Sequence, residues 1–125
     1  MDLNQITLLS TDLARSVAFY RTLGLQLIVD SAPRYVRLTC PDARTTLSIH
    51  QADGPVAVGG LTLYFECDTL DEQVEALKRA GISFITDPID QPWLWREASL
   101  CDPDGHRLIL YHAGKNRLDP PWRVQ

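Results

Sequence analysis

The sequence predicts an α+β protein built from two pseudo-symmetric βαβββ modules, and three observations carry that prediction. The first is a repeat. Leu13 recurs as Leu70, Val17 as Val74, Gly24 as Gly81 and Ile28 as Ile85, a constant offset of 57 residues. The second is the order of patterns, which runs strand, helix, tight turn and strand over residues 3–28 and again over 61–85, each followed by a β-hairpin. The third is turn chemistry. Cys40-Pro41-Asp42-Ala43 and Asp102-Pro103-Asp104-Gly105 stand at the hairpin tips, where Pro presets φ and Asp and Gly suit the remaining positions. In the hairpins the offset grows to 61 or 62, which places extra residues of the second copy near Gln91-Pro92-Trp93. Repeated units of this kind cannot each bury a hydrophobic face alone. The two modules, about residues 3–51 and 61–112, are therefore expected to pair as one domain around a ligand space, with a tail over 113–125.

The first strand weakly alternates apolar and polar residues over 3–9 and ends at Ser10-Thr11-Asp12, a natural N-cap. A helix follows over 13–23, with Leu13, Val17, Tyr20 and Leu23 on one predicted stripe. Gly24 ends it where positive φ is comfortable, and a strand over 25–29 comes next. The first hairpin pairs 35–39 with 45–51. In the second copy Asp68-Thr69 precedes a helix over 70–80, striped by Leu70, Val74 and Leu77 and ended by Gly81. Asp71, Glu72 and Glu75 load its early turns, and Lys78 and Arg79 its last, as the helix dipole favours. The second hairpin pairs 96–101 with 106–112. Residues 51–60, with Gly54-Pro55 and Gly59-Gly60, read as a linker.

Composition excludes several function classes. The 125 residues suffice for one domain with a hydrophobic core. A net charge of -4 and scattered basic residues argue against nucleic-acid binding, which needs a basic stripe. No stretch approaches the roughly 18 apolar residues of a membrane span. Met1-Asp2-Leu3-Asn4 has no basic region or apolar run, so no secretory signal is expected. Cys40, Cys67 and Cys101 form no CxxC pair, fitting small buried hydrophobes in a reducing cytoplasm.

One helix per module covers one sheet face, and strand alternation then assigns the other. Ile6, Leu8, Leu47, Ile49, Leu63, Phe65, Leu108 and Leu110 are placed under the helices. The opposite, cavity-lining face receives Gln5, Thr7, Ser48, His50, Thr62, Tyr64, Glu66, Arg107, Ile109 and Tyr111. It is amphipathic, as a small-molecule site should be. His112 is expected to be satisfied structurally at the strand end, and His106, beside the turn, to be solvated.

The segments Ile6-Thr7-Leu8-Leu9-Ser10-Thr11-Asp12-Leu13-Ala14-Arg15-Ser16-Val17-Ala18-Phe19-Tyr20-Arg21, Leu23-Gly24-Leu25 and Asp102-Pro103-Asp104-Gly105-His106-Arg107-Leu108 resemble the vicinal oxygen chelate superfamily. That group comprises glyoxalase I, bleomycin- and fosfomycin-resistance proteins and extradiol dioxygenases. The resemblance implies paired βαβββ modules forming a cup-shaped mixed sheet, often completed in a homodimer. It also implies a divalent-metal site at four strand positions, which carry over to Gln5, Ser48, Thr62 and Ile109. Of these only Gln5 is a ligand of the usual type; Ile109 cannot ligate, and hydroxyls are poor neutral ligands. The standard site is absent, which argues against glyoxalase I activity.

The same face offers His50, two residues beyond Ser48, and Glu66, four beyond Thr62. With Gln5 these are a candidate displaced site for Fe, Mn, Zn or Ni. Without metal, His50 is a candidate general base, with Glu66 or Tyr64 orienting it or completing proton transfer. The expected chemistry is then that of a lyase, isomerase or dioxygenase on an oxygenated small molecule. Trp93 and Trp95 are candidates for an aromatic wall or lid, and Arg37 and Glu97 for the rim. These aromatics favour the alternative, a non-catalytic protein of the bleomycin-resistance type that sequesters a drug or natural product. The tail is expected to run extended, anchored by Trp122.

Overall fold

In the computed structural model, which describes residues 1–125, the order β-α-β-β-β occurs twice and builds two four-stranded mixed sheets. The first compact unit comprises Met1–Val58 with Asp102–Asp104, the second Gly59–Cys101 with Gly105–Gln125.

In the first unit, β1 (Gln5–Ser10), β2 (Gln26–Ser31), β3 (Tyr35–Thr39) and β4 (Thr46–Gln51) lie in the order β1-β4-β3-β2. β1 and β4 are parallel, and the other pairs antiparallel. Helix α1 (Leu13–Thr22) begins at the expected cap, the Asp12 carboxylate accepting from the Arg15 amide. It ends at Thr22, one residue earlier than its periodicity suggests, with Leu23 as C-cap and Gly24 at φ 108°. Its buried seam is also rotated. Leu13, Ser16 and Tyr20 are buried, while Val17 and Leu23 are half-exposed. Tyr20, fully buried, donates from its phenol to Asp102 Oδ2 at 2.7 Å. Burial, and then the Asp102 charge, push that phenol far above its ordinary range.

The second unit repeats the arrangement. β5 (Thr62–Glu66), β6 (Thr86–Asp90), β7 (Arg96–Cys101) and β8 (Arg107–His112) lie in the order β5-β8-β7-β6, with β5 and β8 parallel. Helix α2 (Leu70–Arg79) buries the predicted Leu70, Val74 and Leu77, although Thr69 caps it without a side-chain hydrogen bond. The strand expected to end at Ile85 instead spans Thr86–Asp90 and is broken by a register shift around Pro88, whose missing N–H cannot join the ladder. The extra residues expected near Gln91 form the β6–β7 turn, closed by Gln91 N–H to Trp95 O at 2.7 Å.

Of the residues placed under the helices, Leu8, Leu47, Ile49, Leu63, Leu108 and Leu110 are buried, whereas Ile6 and Phe65 are only half-buried. Three expectations fail. Of the cysteines expected to be small buried hydrophobes only Cys67 is buried, while Cys40 is half-buried and Cys101 exposed. His106 is only 8% exposed rather than solvated, because the turn it flanks is itself sunk: Asp102 is 4% exposed. The tail does not run extended from its start. Gly114–Arg117 forms a 3-10 helix, and Trp122 is 58% exposed. All three cysteines are free, and no helix is long and apolar enough to cross a membrane.

Candidate functional site

Each unit presents the sheet face opposite its helix, and the two faces differ in chemistry. On the first, strand pairing sets Arg37 opposite Ser48 and Tyr35 opposite His50, with Thr7 beside Ser48 on β1. The Tyr35 phenol oxygen lies 2.8 Å from Ser48 Oγ and accepts from Arg37 Nε at 3.0 Å. The Arg37 guanidinium also sits 5.7 Å from the Tyr35 ring centre. The Ser48 hydrogen bond, and then Arg37, hold the Tyr35 phenol below its ordinary range by stabilising the phenolate. His50 is exposed and packs edge-on against Tyr35, ring centres 4.8 Å apart. Ser48 itself is buried. Tyr35 was not among the residues expected here, although the parity of β3 in its pairing with β4 puts it on this face.

The second face is aromatic. Trp95 stacks on Tyr111 with ring centres 4.5 Å apart and planes 15° from parallel. Tyr64 stands edge-on to both, at 6.0 Å from Trp95 and 5.8 Å from Tyr111. Tyr111 is buried together with Ile109 and Ala113, and Trp95 packs against that cluster, whereas Tyr64 is 53% exposed. Burial, and then Glu66, raise the Tyr111 phenol. The Trp95 ring N–H points to Asn116 O at 3.4 Å. A cleft of about 520 Å³ opens beside Trp95, bordered by Gln91, Leu94, Arg96 and His112 among others. Trp93 is turned to solvent, its ring N–H donating to Glu97 Oε2 at 2.7 Å. Glu97 and Arg37 thus each have a hydrogen-bond partner within their own unit. Thr62 is half-exposed and Arg107 exposed at one end of this face.

Two of the candidate metal donors, Gln5 and His50, lie at opposite ends of the β1–β4 pair. Gln5 pairs with Thr46, four residues before His50 on β4, which separates them by about 13 Å at ~3.3 Å per residue. Gln5 Oε1 is moreover engaged by the Thr46 hydroxyl at 2.9 Å. Glu66 Oε2 accepts from the amides of Ala113 and Gly114 at 3.0 and 3.2 Å, and its other oxygen faces Arg117. No three His, Cys, Asp or Glu side chains gather where they would hold an ion. Glu66 therefore works as a cap on the start of the 3-10 helix, and His112 as another local tie, its Nδ1 3.0 Å from Cys67 O.

A family model for the Glyoxalase/Bleomycin resistance protein/Dioxygenase superfamily matches residues 2–110. No curated protein matches the chain. Among solved structures the chain is similar to a glyoxalase/bleomycin resistance protein/dioxygenase from Nocardioides, at 20% identity over 100% of this chain and 90% of that one, with a TM-score of 0.80. It is similar to a lactoylglutathione lyase from Agrobacterium tumefaciens at 21% identity, covering 89% and 92% of the two chains, with a TM-score of 0.74. It is also similar to a bleomycin-binding protein solved with bleomycin, at 26% identity over 90% and 98%, with a TM-score of 0.69.

Proposed function

The chain belongs to the glyoxalase/bleomycin resistance protein/dioxygenase superfamily, and from that premise we propose that it binds a small planar organic molecule on the aromatic face of its second unit. The observation that carries this reading is the Tyr64–Trp95–Tyr111 group. Two of its rings are locked by stacking, and the third is edge-on and half in solvent. A pre-stacked indole loses little freedom on binding and presents a large π surface beside a cleft of ligand size. Similarity to a bleomycin-binding protein supports the same class of role. Planar antibiotics and polyphenols are expected to quench the tryptophan fluorescence saturably. Tyr64→Ala, a change at an exposed ring, is expected to weaken binding about tenfold, the worth of one aromatic contact, with little change in stability. A panel giving no saturable quenching, or Tyr64→Ala binding as tightly as the unaltered chain, would sink this reading.

A catalytic reading is favoured by one feature. His50 is exposed, and its recorded contact is the edge of the Tyr35 ring, so its nitrogens are available to a substrate. As general base it would take the α-proton of an α-hydroxy carbonyl compound. The expected result is exchange of that proton with deuterated solvent, lost in His50→Ala. Exchange at the uncatalysed rate across a substrate panel would dismiss it.

A further inference from the structure

We infer that Arg37, on the first unit's polar face, is a receptor for the carboxylate group of a small organic acid. Nε is committed to the Tyr35 phenol at 3.0 Å. The two Nη groups, which form the outer edge of the guanidinium, make no recorded hydrogen bond or ion pair. Arg34, Arg96, Arg117 and Arg123 each face a carboxylate, and the remaining arginines without one, Arg15, Arg21, Arg44, Arg79 and Arg107, are exposed to water. Arg37 has none.

Its surroundings make that absence informative. Arg37 is half-buried, and the residues sharing its sheet face on β1, β3 and β4 run from Gln5 to His50 without one Asp or Glu. A partly desolvated cation lacking a counter-charge is an unfavourable arrangement that an incoming anion relieves. The guanidinium is also held in place. Tyr35 accepts from Nε and lies under the cation, and Ser48 holds the Tyr35 oxygen in turn at 2.8 Å. Such a fixed group loses little rotamer freedom when it binds. Its free edge offers two parallel N–H donors in one plane, the pattern that a carboxylate accepts with both oxygens. His50, next along the strand from this group and exposed, stands where it can add a donor.

This inference is independent of the aromatic-ligand proposal, because every donor in it belongs to the first unit. The test therefore uses a probe with no aromatic ring. Cyclohexanecarboxylate and its uncharged isostere cyclohexanecarboxamide are titrated into the full chain while the side-chain Nε signal of Arg37 and the amide of Ser48 are followed by NMR. The acid is expected to shift both signals saturably and to bind at least about tenfold more tightly than the amide, as a charge-assisted pair warrants. Arg37→Gln is expected to abolish that preference. Arg37→Lys, which keeps the charge and loses the fork, should retain only part of it. Tyr35→Phe supplies a second variant that keeps the ring and frees Nε, and it is expected to weaken the acid without affecting the amide. Equal binding of acid and amide, no saturable shift with the acid, or an unchanged preference in folded Arg37→Gln or Tyr35→Phe would overturn the inference.

Discussion

Tyr20→Phe is expected to destabilise the chain by about 2–3 kcal/mol, although it removes a single oxygen. Tyr20 is fully buried, and its phenol donates at 2.7 Å to Asp102, itself only 4% exposed. Hydrogen bonds to a charged group contribute about 1.5–3 kcal/mol, and deleting a donor from a buried carboxylate falls at the upper end. The residual shape change is nil, so no cavity term enters. For a chain of this size the melting temperature should drop on the order of 10 °C. Asp102→Asn keeps an acceptor for the phenol and should cost less. The pH dependence has a definite sign. Because burial and Asp102 raise the Tyr20 phenol above its ordinary range, the unfolded chain ionises first. The stability tied to this group is present below about pH 10 and is lost as the pH rises through the phenol range. Tyr20→Phe does not titrate there, so the gap between the two proteins should narrow in alkali. Urea melts showing the variant within about 0.5 kcal/mol of the parent at neutral pH would dismiss this account of the Tyr20–Asp102 pair.

The fold was largely legible because its signals are local. Asp12 as cap, Gly24 and Gly81 as helix ends and the two Pro-Asp tips each follow from the chemistry of one or a few neighbouring residues. What local chemistry cannot specify is depth. A Pro-Asp-Gly turn fixes φ and ψ, yet Asp102 and His106 beside it are buried. Nor does hydrophobicity alone rank the seam of a short helix: Ser16 is buried and Val17 is not, a shift of one position.

The site was legible in outline and not in its partnerships. Alternation grouped Ser48 with His50, and Tyr64 with Ile109 and Tyr111, which accords with the strand register. It could not reveal that the Glu66 carboxylate is taken by backbone amides 47 and 48 residues away. Tyr35 shares the parity of Arg37 on β3, so the alternation that sets Ser48 and His50 on this face includes it too.

Ile109→Glu is expected to be among the most damaging single changes, costing about 5 kcal/mol. The family resemblance implies a metal-ligand position here, so the substitution asks whether a carboxylate at this place would create a metal site. The surroundings predict that it does not. Ile109 is 2% exposed, grouped with Tyr111 and Ala113 and packed beside Trp95, and its cross-strand neighbours are Tyr64 and Ser99. A carboxylate placed there forfeits the transfer free energy of the buried aliphatic group and adds the larger penalty of a desolvated charge. Burial should raise the introduced carboxyl, so the variant should recover stability as the pH falls and lose it as the pH rises. Ile109→Val, which removes one methylene, should cost only about 0.5–1.5 kcal/mol. Thermal melts with and without manganese, zinc or nickel separate the two explanations. A melting temperature unmoved by each ion means that the aromatic packing around this strand, and not one missing ligand, defines the site. A stable variant that gains a stoichiometric ion would show instead that the metal geometry is retained beneath an aliphatic plug.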